Sequence, residues 1–383
     1  MKREFHLQNL CRWSELNDFP EVSDLKEGMD FRLPKYRREV FLRFYEFHLK
    51  YAAHPGGVYF AMPWLSKKFD LSKEQKLWIA FINGCSQNII TTWQIFEKFP
   101  SLEETKFEDL NNWWNEVHSK FKVGGGWDTD RKYFKIGRTG FPQSVKSYKD
   151  NVEKFGTQTE MFNSVCDTND LGTNFKQTWD LVKNNFMSFG RLSTFSYLEY
   201  LRIQGLPLDC NDLFLEDIGG SRSHRNGVCK VLGRDDLDWW KEKVTYDQPT
   251  IEWLKKEANE LFLEAKERIN HNDVSLFTLE STLCCYKSWH RPNRRYPNVY
   301  MDMMRDRIEY AESQWGDKFQ MFWDMRKDCL PKHLRIEDNP WDVGLRPAKQ
   351  NHYRETGEVI LMDKEWSCFK NSYEDTSIGS FMR

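Results

Sequence analysis

Phe189-Gly190-Arg191-Leu192-Ser193-Thr194-Phe195-Ser196-Tyr197-Leu198-Glu199-Tyr200-Leu201 is the stretch that decides the fold class. Leu192, Phe195, Tyr197, Leu198 and Leu201 recur at helical spacing, so the segment reads as an aromatic-rich amphipathic helix. Leu206-Pro207 ends it. Asp217-Ile218-Gly219-Gly220-Ser221-Arg222-Ser223-His224-Arg225-Asn226-Gly227 then reads as a glycine-opened turn. No acid lies between Asp217 and Asp235, whereas Arg222, Arg225, Lys230 and Arg234 all do. A turn of this kind aims backbone N–H groups and positive side chains at one spot, which suits phosphate oxygens. A solvated loop between helices has the same composition.

Working outward, helical patterns dominate. Lys35 to Ala53 carries Val40, Phe41, Phe44, Tyr45, Phe47 and His48 on one face and Arg37, Arg38 and Arg43 on another. Ser72 with Gln75 fits a capping box ahead of Leu77, Trp78, Phe81 and Ile82. Asn83-Gly84-Cys85-Ser86-Gln87-Asn88 interrupts the apolar pattern before a second helix, Ile89 to Phe99. Polar groups between two buried helices must be satisfied internally or face a ligand. Ile251 to Asn270 shows the clearest stripe: Ile251, Leu254, Ala258, Leu261, Phe262, Ala265 and Ile269. The best strand signal, Glu358–Met362, suggests one edge strand at most. The expected fold class is therefore mainly α.

Two further stretches mix cations with rings. Arg131, Lys132, Lys135, Arg138, Lys146 and Lys149 follow Trp127-Asp128-Thr129-Asp130 with no acid until Asp150, and Tyr133, Phe134, Phe141 and Tyr148 are interleaved. Lys287, Arg291, Arg294 and Arg295 surround Trp289-His290 and Tyr296. Such mixtures fit a nucleic-acid backbone with unstacked bases nearby, although charge runs are usually solvated faces.

Composition narrows the class. With 383 residues the chain holds one large or two ordinary domains. Aromatics reach 15%, and the net charge is only −2, so any nucleic-acid surface has to be local. Mean hydropathy is −0.75 and no apolar run reaches membrane-helix length, so no membrane partner is expected. The nine cysteines form no Cys-x-x-Cys pair and read as reduced thiols of a cytoplasm. There is no phosphate-binding Gly-x-x-x-x-Gly-Lys loop, no dinucleotide fingerprint, no zinc spacing and no nucleophile elbow. No cofactor is required by any motif, and a divalent cation is left open.

Four segments together resemble the bacteriophage amino acid:DNA transferases. They are Phe41–His48; Gln75–Gly84 with Ser86-Gln87-Asn88; Gly126-Trp127-Asp128-Thr129-Asp130-Arg131; and Phe189-Gly190-Arg191 through the Gly219–Gly227 turn. These enzymes are similar to the α-glutamyl/putrescinyl thymine pyrophosphorylases and, more distantly, to helix-hairpin-helix DNA glycosylases. The resemblance implies a helical, glycosylase-like catalytic region over 36–315, with a break into two lobes near 150–175. A lead-in over 1–35 precedes it and a C-terminal extension over 316–383 follows.

It also implies a reaction: replacement of the pyrophosphate of 5-pyrophosphoryloxymethyluracil in DNA by an amino acid, serine or glycine, in thymine hypermodification. The partners would be double-stranded DNA carrying that base and a free amino acid, in the host cytoplasm during infection. Pyrophosphate leaving a CH₂ group needs preorganised cations and N–H donors. Arg222, Ser223 and Arg225, or Lys287, Arg294 and Arg295, are candidates. Arg191 is a candidate for the amino acid carboxylate. A base is needed for the nucleophile's proton; Asp128, Asp130, Asp217 and His224 are candidates, the first two reading equally well as caps of the following segment instead. Ser86, Gln87, Asn88 and Trp93 would form the pocket for a flipped base. Cys85 reads as a buried structural thiol before it reads as a nucleophile. The rival readings are a glycosylase-like base-excision enzyme and a non-catalytic DNA-binding protein.

Overall fold

The structure, a computed structural model, describes residues 34–50, 57–121, 140–238, 246–289 and 303–329. Among these residues there are fourteen α-helices and no strand. In chain order they are α1 (Pro34–Lys50), α2 (Val58–Lys68), α3 (Lys73–Ser86), α4 (Ile89–Lys98), α5 (Phe107–Val117), α6 (Phe141–Val152), α7 (Gln158–Asn163), α8 (Leu171–Asn185), α9 (Arg191–Ile203), α10 (Arg222–Val231), α11 (Gln248–Arg268), α12 (Leu276–Trp289), α13 (Met303–Trp315) and α14 (Gln320–Cys329). The mainly-α expectation holds. No helix among the described residues is long and apolar enough to cross a membrane. The lead-in up to Leu33, the Glu358–Met362 strand and the cationic run Arg131–Arg138 lie outside the described residues.

The described helices fall into two units. One contains α1, α10, α11 and α12; the other contains α2 to α9 with α13 and α14.

In the first unit, α10 crosses α12 at Gly227. A Cβ there would lie 2.3 Å from the Leu283 carbonyl oxygen, so only hydrogen permits the approach. The apolar face of α1 closes on α12. Phe41 meets Tyr286 edge-on at 5.2 Å, and the Tyr45 hydroxyl donates to Ser275 O at 2.9 Å. The sequence presents Arg37, Arg38 and Arg43 as a basic face of α1, but each is consumed by an acid. Arg37 grips Asp235 with two bonds of 2.8 and 3.0 Å, Arg38 meets Glu264 at 2.6 Å, and Arg43 meets Glu39 at 2.7 Å. Arg268 of α11 returns to Glu39 at 2.7 Å, so the α1–α11 edge is a ladder of alternating charge. The stripe Ile251, Leu254, Ala258, Leu261 and Ala265 of α11 is buried as its spacing predicts.

In the second unit, α3 is the central rod. Its capping box is present: Ser72 Oγ accepts from Gln75 N, and Gln75 Oε1 accepts from Ser72 N. Phe81 stacks on Tyr148 of α6 at 3.9 Å with 8° between the rings, and Trp78 lies parallel beyond. Phe186 and Tyr197 meet Phe81 edge-on, and Phe189 stacks on it at 5.6 Å. Gly84 lets α3 press on the Tyr197 ring of α9. The opening stretch thus supplies core side chains from Phe189, Phe195, Tyr197, Leu198 and Leu201. Leu192 departs from the expected stripe and is 50% exposed, whereas Ser193 and Thr194 of the same turn are buried, so the inward face of α9 begins with them.

One local expectation is corrected. Gly219–Gly227 is not a single turn: the turn is confined to Asp217–Ser221, and Arg222 begins α10. Gly227 suggested a loop, yet its physical task is the close helix crossing. The connection from α9 to α10, residues 204–221, is long and non-helical.

Gly227→Ala is expected to lower the stability by about 3 kcal/mol or more, as overpacking against a fixed carbonyl does, measured by urea unfolding. Burial pushes Asp235 up, but hydrogen bonds from Arg37 and Lys230 outweigh it, so its carboxyl sits below the usual range. A depressed acid stabilises the fold above its unfolded pKa and loses that effect as pH falls through the folded one. Asp235→Asn is therefore less stable than wild type at pH 7, and the gap should close only as pH is taken below 3.8.

Candidate functional site

The α3–α4 junction is built from its polar residues. Asn88 caps α4, its Oδ1 accepting from Ile90 N at 3.1 Å and Thr91 N at 3.5 Å. Ser86 Oγ lies 2.5 Å from Thr92 Oγ1 and accepts from Asn88 N at 3.1 Å. Thr92 in turn donates to Asn83 Oδ1 at 2.9 Å. Ser86 and Asn88 are therefore buried members of an internal network. Gln87 differs from both. It is half-buried and stands in the left-handed region at φ 48°, where with the extended Asn88 it turns the chain between the two helices. Trp93 is buried against Phe96 and against the exposed ring of Phe69 at 4.4 Å. Cys85 is fully buried, and burial pushes its thiol well up. Arg191 opens α9, half-buried, with its guanidinium 5.7 Å from the Phe195 ring centre. All these residues belong to the second unit.

The first unit gathers the other described candidates at the start of α10. Arg225 is fully buried and spans the turn from beneath. Its guanidinium donates to the carbonyls of Leu215 at 3.1 Å, Asp217 at 3.1 Å and Ile218 at 2.6 Å, and lies over the Tyr246 ring. It shapes the turn from within rather than reaching outward. Asp217 caps the same turn, its Oδ1 accepting from Gly220 N at 2.8 Å. Ser221 Oγ is spent on Phe214 O, so no side chain caps the first turn of α10.

That first turn carries Arg222, Ser223 and His224. Arg222 is exposed. Ser223 Oγ lies 2.9 Å from Cys284 Sγ and accepts a short hydrogen bond from the buried Lys287 ammonium of α12. Lys287 Nζ is also 3.7 Å from Cys284 Sγ. His224 is wholly buried. Its Nε2 lies 2.8 Å from Leu213 O and its Nδ1 2.8 Å from Glu280 Oε1, a close contact that is not aligned as a hydrogen bond. Burial pushes the Cys284 thiol up, with the Lys287 charge opposing and the Glu280 charge adding to it.

The structure thus brings Arg222, Ser223, His224, Arg225, Asp217 and Lys287 to one end of α10. It separately brings Ser86, Gln87, Asn88 and Trp93 to the α3–α4 junction. Asp128, Asp130, Arg294 and Arg295 lie outside the described residues. Among the described residues, no group of three or more His, Cys, Asp or Glu side chains could hold a metal ion. Sequence reasoning missed Glu280 and Cys284. Their one signal was spacing: Glu280, Cys284 and Lys287 stand at i, i+4 and i+7 and so share a helix face.

A family model described as amino acid:DNA transferase matches residues 60–295, more than half of the chain. A serinyltransferase of Salmonella phage ViI is 27% identical over 300 residues, covering 74% of this chain and 71% of that protein. The matched span holds both helix pairs, α3–α4 and α10–α12, with the polar residues that join each pair. The match spans more than half of the sequence, and the chain belongs to the amino acid:DNA transferase family.

Proposed function

We propose that this transferase replaces the pyrophosphate of 5-pyrophosphoryloxymethyluracil in DNA with an amino acid, serine first among the candidates and glycine second. Serine takes precedence from the name of the phage relative. The observation that carries the reading is the convergence of Lys287 and Ser223 on the first turn of α10, with Arg222 beside them. Helix N–H groups, a hydroxyl and cations form a cradle for a diphosphate as it gains charge on departure. Lys287 is held by a partner hydroxyl and needs little reorganisation when that charge appears. Arg225 and Asp217 contribute by holding the turn that leads into the helix. Arg294 and Arg295 are proposed to add to this cradle, and Asp128 and Asp130 to remain candidates for proton transfer.

In the second unit, Gln87 is proposed to read the edge of the flipped pyrimidine. Its backbone turns out of the junction that Ser86 and Asn88 stabilise, and Trp93 supports that junction with its ring. Arg191 is proposed to take the carboxylate of the amino acid. Double-stranded DNA carrying the modified thymine is the polymer substrate, with a host-cell cytoplasm as the setting.

The test is a reaction of the purified chain with DNA carrying 5-pyrophosphoryloxymethyluracil and each amino acid in turn. Nucleoside mass spectrometry should find a serine adduct, with one pyrophosphate released per adduct. Release of a free base would instead identify a glycosylase, and DNA binding with no product would identify a binding protein. Lys287→Ala is expected to lower kcat by about 10²- to 10³-fold, the usual cost of one preorganised donor. Arg222→Ala should mainly raise KM for DNA. Gln87→Gly relieves a left-handed side chain, so stability should stay level or rise by about 1 kcal/mol, while kcat/KM falls about tenfold through the lost base contact.

A further inference from the structure

The buried interface of α10 and α12 contains one carboxylate. Glu280 faces His224, and its neighbours one and two turns along α12 are Cys284 and Lys287. Ser223 and His224 are adjacent on α10, so the carboxylate and the ammonium lie against consecutive residues of one helix. Both charges act on the thiol of Cys284, which stands between them. His224 is fully buried, whereas the Glu280 side chain keeps 12% of its surface exposed. The histidine is thus the inner member of the pair and the carboxylate the outer one. Leu213 O at Nε2 fixes the ring orientation and turns Nδ1 to the carboxylate. A carboxylate held beside a buried imidazole and within reach of an ammonium is a constellation that clusters at functional sites.

We propose that Glu280 is the base that takes the proton of the incoming amino acid, and that His224 is the positioning residue that holds it. The proposal rests on the transfer reaction put forward above and names its missing proton acceptor. The lone pair of the nucleophile forms the new bond to the CH₂ carbon on the uracil ring. The C–O bond to the diphosphate breaks, and its electron pair leaves on pyrophosphate, beside Lys287 and Ser223. The proton released by the nucleophile passes to the Glu280 carboxylate. His224 does not touch the substrate; it sets where that carboxylate stands.

Glu280→Gln keeps the size and the polar contact to His224 but accepts no proton. In the serine-transfer assay it should lose about a hundredfold or more in kcat, within the usual range for a general base, with DNA affinity by anisotropy and the unfolding midpoint unchanged. Glu280→Ala should lose as much, and added formate should restore transfer saturably, since a small carboxylate can occupy the space of the deleted one. His224→Asn should lower kcat with little effect on KM for serine. Glu280→Gln within threefold of wild type overturns the proposal. So does a Glu280→Ala variant that binds DNA normally yet ignores formate, and so does loss of transfer only together with DNA affinity and helical signal, which would make the residue structural. No serine transfer by the wild-type chain overturns the proposed function and this proposal together; normal wild-type transfer with an active Glu280→Gln overturns this one alone.

Discussion

The contact between Gly227 and the main chain at Leu283 is the constraint from which the first unit follows. Helices normally stand 8–10 Å apart because side chains intervene. Removing one side chain at the crossing brings α10 onto α12 backbone to backbone. Short polar side chains on either flank then meet directly. Ser223 reaches Cys284 and Lys287, and His224 reaches Glu280, where longer spacing would leave room only for apolar filling. The crossing thereby turns an ordinary helix contact into a row of charged and hydroxyl groups. The turn that feeds α10 is secured independently, by Arg225 holding three carbonyls.

The second unit solves a different problem, how to keep an irregular junction in place between two buried helices. Its answer is redundancy. Asn83, Ser86, Asn88 and Thr92 bond to one another, so each buried polar atom in the series has a partner nearby. The strain of a left-handed Gln87 is absorbed by that network and by the aromatic stack on α3. Strained non-glycine residues persist where their surroundings over-determine them, and they are common where a side chain must be aimed.

Much of the fold was legible in the sequence because helical periodicity is a local signal. The stripe on α11, the capping box at Ser72 and the polar interruption at 83–88 all read correctly at the level of single segments. What failed to read was long-range. Gly227 looked like a turn residue, since nothing local distinguishes a glycine that breaks a helix from one that lets another helix approach. Arg37, Arg38 and Arg43 looked like a cationic face because their acids, Asp235, Glu264 and Glu39, are mostly distant in sequence. Candidate site residues were partly visible as a cluster of cations near 222–225. Glu280 and Cys284 were hidden inside an apolar-looking helix, where only a facing helix gives them meaning.

The charge ladder along α1 and α11 bears on how the protein meets a polyanion. Its guanidinium groups are already neutralised within the molecule, so they release no counterions when a nucleic acid docks. The total of Lys and Arg in the chain therefore overstates its attraction for DNA. The ionic-strength dependence of association should track the outward-facing cations, Arg222 among them, rather than the paired guanidinium groups of α1 and α11.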